Sequence, residues 1–298
     1  MRRSNFVTLG KFLFVLSLLA LPTISFSQTS VVRKDAYLVR QLDSKLMGRK
    51  INYGVLLPAN YEAGASTGRR YPVLYLLHGL TGHFDNWFEK SAILDHIKDR
   101  DVIVVAAEGE DGWYTDSQAN ERDKYESYII KELIPEIDAK YRTLARRDSR
   151  FIAGLSMGGY GAIKFGLKYP EMFSVVGSFS GAIGAATITE KTFPGSIGKT
   201  IDSILGPSDS ATRKANDPFE IIRGTTPDKI KSYPFIYLDC GSEDFLFPNN
   251  REFVSLLVEK KVPHEFRQLP GGHTWTYWDQ QVKEFIQSIP RLSNYTSR

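Results

Sequence analysis

The chain has 298 residues, of which 42% are hydrophobic and 24% charged, and it carries a formal net charge of +4. This length and composition are typical of one large α/β domain or two small ones, and they exclude a largely disordered protein. The single cysteine, Cys240, excludes an internal disulfide, and its position at the end of an apolar run indicates a buried thiol.

The first predicted element is an export signal at residues 1–27. It combines a basic start, an apolar stretch from Phe12 to Leu21, and small residues at Ser25 and Ser27 before a cleavage point. The apolar stretch is short for a bilayer span, and a proline follows it, which favours a cleaved signal over a membrane anchor. Removal of this segment lowers the formal charge from +4 to +1. We therefore expect an exported protein, periplasmic or secreted, that binds neither nucleic acid nor a membrane after cleavage.

Eight short apolar runs then predict a β-sheet. The first two, DAYLVRQL and RKINYGVLLP, predict an antiparallel hairpin at the edge of the sheet. The other six are YPVLYLL, DVIVVAA, SRFIAGL, FSVVGSFS, PFIYLDC and HEFRQL. Most of these six alternate with stretches of helical periodicity, which predicts a mostly parallel, doubly wound sheet with helices on both faces.

Helices are predicted over 125–141, directly after the GLSMG turn, over 249–259 and over 275–289. The first has apolar residues at three- and four-residue spacing, and Pro135 is expected to kink it. Residues 182–233 are too long for a simple connection between a helix and a strand, so they predict an inserted, cap-like segment. Residues 28–298 are accordingly expected to form a single domain that includes this insert.

The stretch GLSMGGYGA, at residues 154–162, places Ser156 between two glycines. The short G-x-S-x-G pattern has weight only in context, and here a predicted strand leads in and a helix leads out. The amino end of that helix favours developing negative charge through its dipole. Ser156 is therefore the candidate nucleophile, and it needs a base because a serine hydroxyl is a weak nucleophile by itself.

His273 is the candidate base. It follows two glycines in LPGGHTWTYW, after the last predicted strand, and from that loop an imidazole can reach Ser156. The loop FIYLDCGSEDFLFP offers Asp239, Glu243 and Asp244 as the acid. Asp239 is still within the strand and Glu243 more easily faces solvent, so Asp244 is preferred, which gives the chain order Ser, Asp, His of an α/β-hydrolase.

Two backbone N–H groups are expected to bind the oxyanion. Met157 follows the nucleophile, and Leu80 lies in YLLHGLTGHFDNW after an early strand, where His78 is expected to shape the loop. A zinc site at His78 and His83 is not favoured because no nearby Cys or Glu completes a ligand set. No GKS or GKT follows the glycines at 154–161, so the sequence predicts no phosphate-binding loop, no metal and no cofactor.

These motifs resemble one family. YLLHGLTGHFDNWF, GWYTD, GLSMGGYGA, GSEDFL and GGHTWTYW are similar to the esterase D-like, feruloyl esterase-like branch of the α/β-hydrolases, over about residues 48 to 290. The resemblance implies an α/β-hydrolase fold and the same roles: Ser156 as nucleophile, Asp244 as acid, His273 as base, and Leu80 with Met157 as oxyanion donors. It also implies a small-molecule or carbohydrate-linked ester as substrate.

The tryptophans fall in or beside loops at the expected catalytic edge. Trp113, Trp87 and Trp275 are interpreted as substrate-binding residues, and Trp278 as a packing residue. The combined prediction is a serine carboxylic-ester hydrolase that forms an acyl-enzyme on short-chain or aromatic acyl esters, including esters of sugars. An acyltransferase with the same triad, an S-formylglutathione hydrolase-like thioesterase and a binding protein with a relict site are the alternatives.

Overall fold

The computed structural model describes residues 36–296. The export signal expected at residues 1–27 lies outside the described residues and stays a prediction. All eight predicted strands are present, and they form one sheet. They are β1 Leu38–Ser44, β2 Arg49–Leu56, β3 Val73–Leu77, β4 Ile103–Ala107, β5 Arg150–Leu155, β6 Val175–Phe179, β7 Phe235–Gly241 and β8 His264–Leu269.

The sheet has the strand order β1-β2-β4-β3-β5-β6-β7-β8. The β1–β2 and β2–β4 pairs are antiparallel, and each pair from β4–β3 to β7–β8 is parallel. Every residue of β3, β4, β5 and β6 is buried. Strands covered on both faces read as continuous apolar runs, which is why these strands were predictable. The predicted edge hairpin and mostly parallel sheet are confirmed.

Helices pack on both faces of the sheet. The α-helices are α1 Asn86–Glu89, α2 Ile93–Ile97, α3 Tyr125–Ser127, α4 Ile134–Lys140, α5 Met157–Lys168, α6 Ser196–Leu205, α7 Ala211–Ala215, α8 Pro218–Arg223, α9 Pro227–Ile230, α10 Phe247–Glu259 and α11 Trp275–Thr296. Short 3₁₀-helices lie at Ala63–Ala65, Arg147–Ser149 and Ile183–Thr187. Within residues 36–296, no helix is both long enough and apolar enough to cross a membrane.

The predicted helix over 125–141 is interrupted. A π-helical stretch, Tyr128–Leu133, separates α3 from α4, and Pro135 lies in the first turn of α4. Proline has no N–H to donate, and its ring crowds the carbonyl four residues earlier, which favours a widened turn before it. Pro135 therefore perturbs the turn before it, and α4 begins at the residue that precedes it.

The last helix is longer than expected. The prediction ended it at Ile289, but α11 continues to Thr296 with Pro290 inside it. Ile289 and Leu292 are both buried on either side of the proline. Burial of the apolar face therefore extends the helix beyond a residue that disfavours it locally.

Residues 182–233 contain the 3₁₀-helix Ile183–Thr187 and helices α6 to α9. The buried guanidinium of Arg213 links this segment together: it donates to the carbonyls of Ala186 and Ile188 at 2.7 Å and pairs with Asp202 at 2.7 Å. The segment also contacts the sheet domain, since α8 packs against α5 and α10. Its function as a cap stays a prediction.

Candidate active site

Ser156 occupies a sharp turn between β5 and α5. Its backbone has φ 52° and ψ −117°, a left-handed conformation that is strained for a residue with a side chain. The turn is held by neighbouring backbone, because the Ser156 amide donates to the Phe179 carbonyl at 3.0 Å and its carbonyl accepts from Ala182 at 3.0 Å. This is the geometry that presents a serine hydroxyl above the carboxyl edge of a parallel sheet.

The glycines around Ser156 are required by close packing. A Cβ atom at Gly154 would lie 2.4 Å from the carbonyl carbon of Gly158, and one at Gly158 would lie 2.3 Å from the Leu77 carbonyl oxygen. Both contacts are with backbone, which cannot move aside as a flexible side chain can. Helix α5 can therefore approach β3 and β5 closely only if these positions lack side chains.

His273 lies in the loop between β8 and α11, next to Ser156. Its Nε2 atom is 3.0 Å from Ser156 Oγ, and its side chain is 20% exposed. The ring packs against Trp278, edge-on at 4.8 Å between centroids, and against Phe245 at 4.7 Å. These aromatic contacts restrict the imidazole while leaving one side open to solvent.

Asp244 completes the hydrogen-bond chain. Its Oδ2 atom is 2.8 Å from His273 Nδ1, and its Oδ1 atom accepts from the Leu246 amide at 2.9 Å. Burial raises the pKa of the Asp244 carboxyl, but the hydrogen bonds from His273 and Leu246 outweigh burial, so the pKa is lowered. Asp244 is therefore a buried carboxylate held in its ionised form.

Backbone hydrogen bonds hold the Asp244 loop against the His273 loop. The Ser242 amide donates to Leu269 at 2.8 Å, and the Glu243 amide donates to Gly271 at 3.0 Å. A Cβ atom at Gly241 would lie 2.1 Å from the Gly271 carbonyl oxygen, so the two loops touch backbone to backbone. The relative position of acid and imidazole is therefore set by the main chain.

The other two candidate acids do not reach His273. The Glu243 side chain is exposed, whereas Asp239 is fully buried within β7. Burial raises the pKa of Asp239 well above its ordinary value, and the carboxylate of Asp244 raises it further. Tyr277 and Arg267 lower this pKa but do not outweigh burial.

The expected oxyanion donors flank Ser156. The Met157 N–H opens α5, and the Leu80 N–H follows Gly79, where a Cβ atom would lie 3.5 Å from Ser156 Cβ. Neither the Leu80 N–H nor the Met157 N–H donates to another residue between 36 and 296. Both N–H groups are thus available to an atom bound at Ser156.

The structure corrects two of the three tryptophan predictions. Trp87 is fully buried, donates its indole N–H to the Leu77 carbonyl at 3.1 Å and packs edge-on against Trp275. Trp113 is 4% exposed and packs edge-on against Tyr160 in the main core. Both side chains are therefore core residues rather than exposed pocket walls, because tertiary packing covers them. Trp275 is half-buried and keeps some accessible surface.

Phe245 lies beside the site but was not predicted from the sequence to belong to it. Phe245 follows Asp244 directly, is 74% exposed and contacts the His273 ring. A large exposed aromatic side chain next to a reactive imidazole offers an apolar surface to a ligand. The only sequence signal was its adjacency to the candidate acid in GSEDFL.

A polar cleft of 440 Å³ lies beside the oxyanion loop, between the loop that follows β4 and helix α6. Its polar lining residues include Asp111, Ser117, Asn120, Asp123, Lys199, Thr200 and Ser203. Asp111 links this cleft to the site, because its Oδ1 atom accepts from the Thr81 amide at 2.7 Å. Within residues 36–296, no three His, Cys, Asp or Glu side chains are gathered so that they could hold a metal ion.

The fold and this arrangement define an α/β-hydrolase. Residues 44–289 match the Esterase family model, and the chain therefore belongs to the Esterase family. An esterase of Mycobacterium tuberculosis is 31% identical over 261 residues, which cover 79% of this chain and 55% of that protein. The chain thus spans about half the length of that relative.

Two further proteins are similar to this chain over most of its length. An acetyl esterase of Caldicellulosiruptor saccharolyticus is 28% identical over 229 residues, covering 74% of this chain and 84% of that protein. A solved structure of a ferulic acid esterase is 29% identical, with a TM-score of 0.75, and the match covers 86% of this chain and 98% of that one. The α/β-hydrolase fold predicted from the sequence and the esterase-like resemblance are confirmed.

Proposed function

We propose that the chain hydrolyses carboxylic esters with Ser156 as nucleophile, His273 as general base and Asp244 as the residue that orients the imidazole. The observation that carries this proposal is the hydrogen-bond chain: 2.8 Å from Asp244 Oδ2 to His273 Nδ1 and 3.0 Å from His273 Nε2 to Ser156 Oγ. Because the carboxylate accepts from Nδ1–H, the Nε2 lone pair faces the hydroxyl and takes its proton.

Each step of the reaction uses one of these groups. Ser156 Oγ attacks the ester carbonyl carbon while its proton moves to His273 Nε2, and the N–H groups of Leu80 and Met157 bind the oxyanion. Collapse of the tetrahedral species breaks the bond to the alcohol, which leaves with the proton from the imidazolium. Water then attacks the acyl-enzyme with the same base, which releases the acid and restores Ser156.

We propose short or aromatic acyl esters of hydroxylated alcohols, such as sugars, as the substrate class. The polar cleft beside the oxyanion loop supports a hydroxylated alcohol, since its hydroxyl, carboxylate and amide groups match sugar hydroxyls. The exposed ring of Phe245 beside His273 supports an apolar acyl group. The names of two relatives, an acetyl esterase and a ferulic acid esterase, agree with a short or an aromatic acyl group.

Ester hydrolysis by Ser156→Ala and His273→Ala tests the catalytic roles. We expect each substitution to lower kcat for 4-nitrophenyl acetate by about four to six orders of magnitude, because the nucleophile or its base is lost. Ser174→Ala is the matched control: Ser174 is also fully buried but lies just before the amino end of β6, away from the site. A folded Ser156→Ala protein with wild-type turnover would refute the assignment.

Substrate class is tested by comparing ethyl acetate with acetylated xylo-oligosaccharides. We expect kcat/KM for the sugar ester to be about tenfold higher or more, because binding energy from the alcohol contributes to the transition state. Lys199→Ala, in the cleft, should reduce this ratio, whereas Lys191→Ala, exposed in the same segment but outside the cleft lining, should not. Three results would contradict this substrate class. They are equal kcat/KM for both esters in the wild type, faster hydrolysis of S-formylglutathione, and transfer of the acyl group to an added alcohol in preference to water.

A further inference from the structure

Glu108 follows β4 directly, and the reaction described above gives it no role. Its side chain is buried, with 7% of the residue exposed. Its Oε1 atom accepts from the amides of Gly109 and Glu110 at 3.0 and 2.7 Å, and its Oε2 atom accepts from the Phe84 amide at 3.3 Å. One carboxylate thus joins the loop after β4 to the oxyanion loop, residues 78–84.

The same carboxylate packs against His78, and the Gly109 amide lies between the two groups. The His78 ring is fully buried, and its Nε2 atom lies 3.1 Å from Glu108 Oε1 and 2.9 Å from the Gly109 amide nitrogen, which lies 3.0 Å from the same carboxylate oxygen. On the other side of the ring, Nδ1 lies 2.8 Å from the carbonyl oxygen of Gly79. A carbonyl oxygen only accepts hydrogen bonds, so His78 Nδ1 donates to Gly79.

The Gly79 carbonyl and the Leu80 N–H belong to the same peptide group. A trans peptide is planar, with its C=O and N–H pointing in opposite directions, and the described chain has no cis peptide bond. A hydrogen bond that fixes the Gly79 carbonyl therefore also fixes the direction of the Leu80 N–H. The Gly82 amide, which donates to the same carbonyl at 3.0 Å, adds a second restraint.

Glu108 is suited to holding this loop in place because its carboxyl is ionised. Burial raises the pKa of its carboxyl, but the hydrogen bond and charge of His78, with the Glu110 and Phe84 amides, outweigh burial and lower the pKa. An ionised carboxylate accepts all of these hydrogen bonds at once, and a neutral side chain of the same size does not.

We propose that Glu108 is a positioning residue that, through His78, aims the Leu80 N–H at the oxyanion formed on Ser156. This inference rests on the proposed function, because the oxyanion role of Leu80 belongs to it. Glu108 touches no reacting atom and acts through the peptide plane between Gly79 and Leu80. Loss of its carboxylate weakens stabilisation of the tetrahedral species more than it weakens binding of the ester.

The test compares Glu108→Ala and Glu108→Gln with Glu132→Ala. Glu132 is the matched control, because its carboxylate also accepts from two loop amides, those of Lys45 and Leu46, but at the β1–β2 turn. The measurements are kcat and KM for 4-nitrophenyl acetate, the Kd of a phenylboronic acid that forms a tetrahedral adduct with the serine, and Tm by circular dichroism.

For Glu108→Ala we expect kcat to fall about tenfold to hundredfold with KM changed less than about threefold, since a misdirected donor acts on the transition state. The boronic acid affinity should fall by a similar factor. Glu108→Gln should lose less, because one acceptor oxygen remains. Glu132→Ala should lower Tm and leave kcat and boronic acid affinity unchanged.

A folded Glu108→Ala protein with wild-type kcat and boronic acid affinity would overturn the proposal. If Glu108→Ala does not fold, Glu108→Gln decides: reduced kcat with unchanged KM supports the role, and wild-type kcat overturns it. Ser156→Ala is measured in the same series. Hydrolysis by that variant would refute the proposed function itself, whatever the Glu108 variants do, so the two failures are distinguishable.

Discussion

The Asp244 and Asp239 carboxyls show how position alone separates two aspartates five residues apart. Asp244 accepts hydrogen bonds from His273 and Leu246, which lower its pKa. Asp239, within β7, is fully buried, and burial raises its pKa. The surroundings thus favour the ionised form of Asp244 and the neutral form of Asp239.

We expect Asp244→Asn to lower kcat by about three to four orders of magnitude without unfolding the protein. An amide can present its NH₂ group to His273 Nδ1, which moves the ring proton to Nε2 and removes the lone pair that accepts from Ser156. Asp239→Asn is the matched control and should keep wild-type kcat. Loss of activity in Asp239→Asn, with Asp244→Asn active, would assign the acid to the strand residue.

The Asp239→Asn variant also tests how the stability of the protein depends on pH. A carboxyl whose pKa is raised by folding destabilises the native state increasingly as pH rises above its unfolded value of 3.8. Asp239→Asn removes this penalty, so its Tm should exceed that of the wild type at pH 8, and the difference should shrink towards pH 4. A variant that is less stable than the wild type at pH 8 would show that Asp239 is charged and paired.

At the scale of elements, a buried ion pair joins α3 to α5. Lys164 of α5 is fully buried, lies 3.1 Å from Glu126 of α3, and donates to the Tyr114 carbonyl at 2.6 Å. Burial raises the pKa of Glu126, but Lys164 and Lys168 outweigh burial and lower it to about 2. Helix α5, which begins at Met157 directly after the candidate nucleophile, is therefore fixed to the rest of the domain by charge as well as by packing.

We expect Glu126→Gln to destabilise the protein by about 3 to 5 kcal/mol, because Lys164 is left buried without its anion. Glu220→Gln, which breaks the exposed pair with Arg223, should change stability by less than about 1 kcal/mol. Since the pKa of Glu126 is lowered, its stabilisation is present above the unfolded value of 4.5 and is lost as pH falls towards about 2. Urea unfolding at pH 7 and pH 3 measures both effects, and equal losses for the two variants would contradict the role of the buried pair.

At the scale of the whole molecule, the fold was predictable from the sequence because its strands are continuous apolar runs. The residues Ser156, Asp244 and His273 were also selected from the sequence. Each follows a strand in the parallel part of the sheet, and the carboxyl ends of parallel strands meet at one edge. Burial of Trp87 and Trp113 was not predictable, because contacts with residues distant in the chain cover them.

Two other features depend on long-range contacts. The link between Glu108 and His78 crosses from β4 to β3, over a separation of 30 residues, and no local pattern marks it. Helix α11 passes Pro290 because Leu292 is buried in the hydrophobic core, whereas local propensity favours an end at the proline. Local sequence therefore predicts elements and motifs, and tertiary packing decides which side chains stay accessible.

The most direct test of the central claim is to identify the residue that carries the covalent intermediate. The protein is treated with a fluorophosphonate, which phosphonylates an activated serine, and its peptides are analysed by mass spectrometry. We expect one adduct, on Ser156, that forms in step with loss of ester hydrolysis and is absent from Ser156→Ala. Complete inactivation with the adduct on another residue, or undiminished hydrolysis after full labelling of Ser156, would contradict the account.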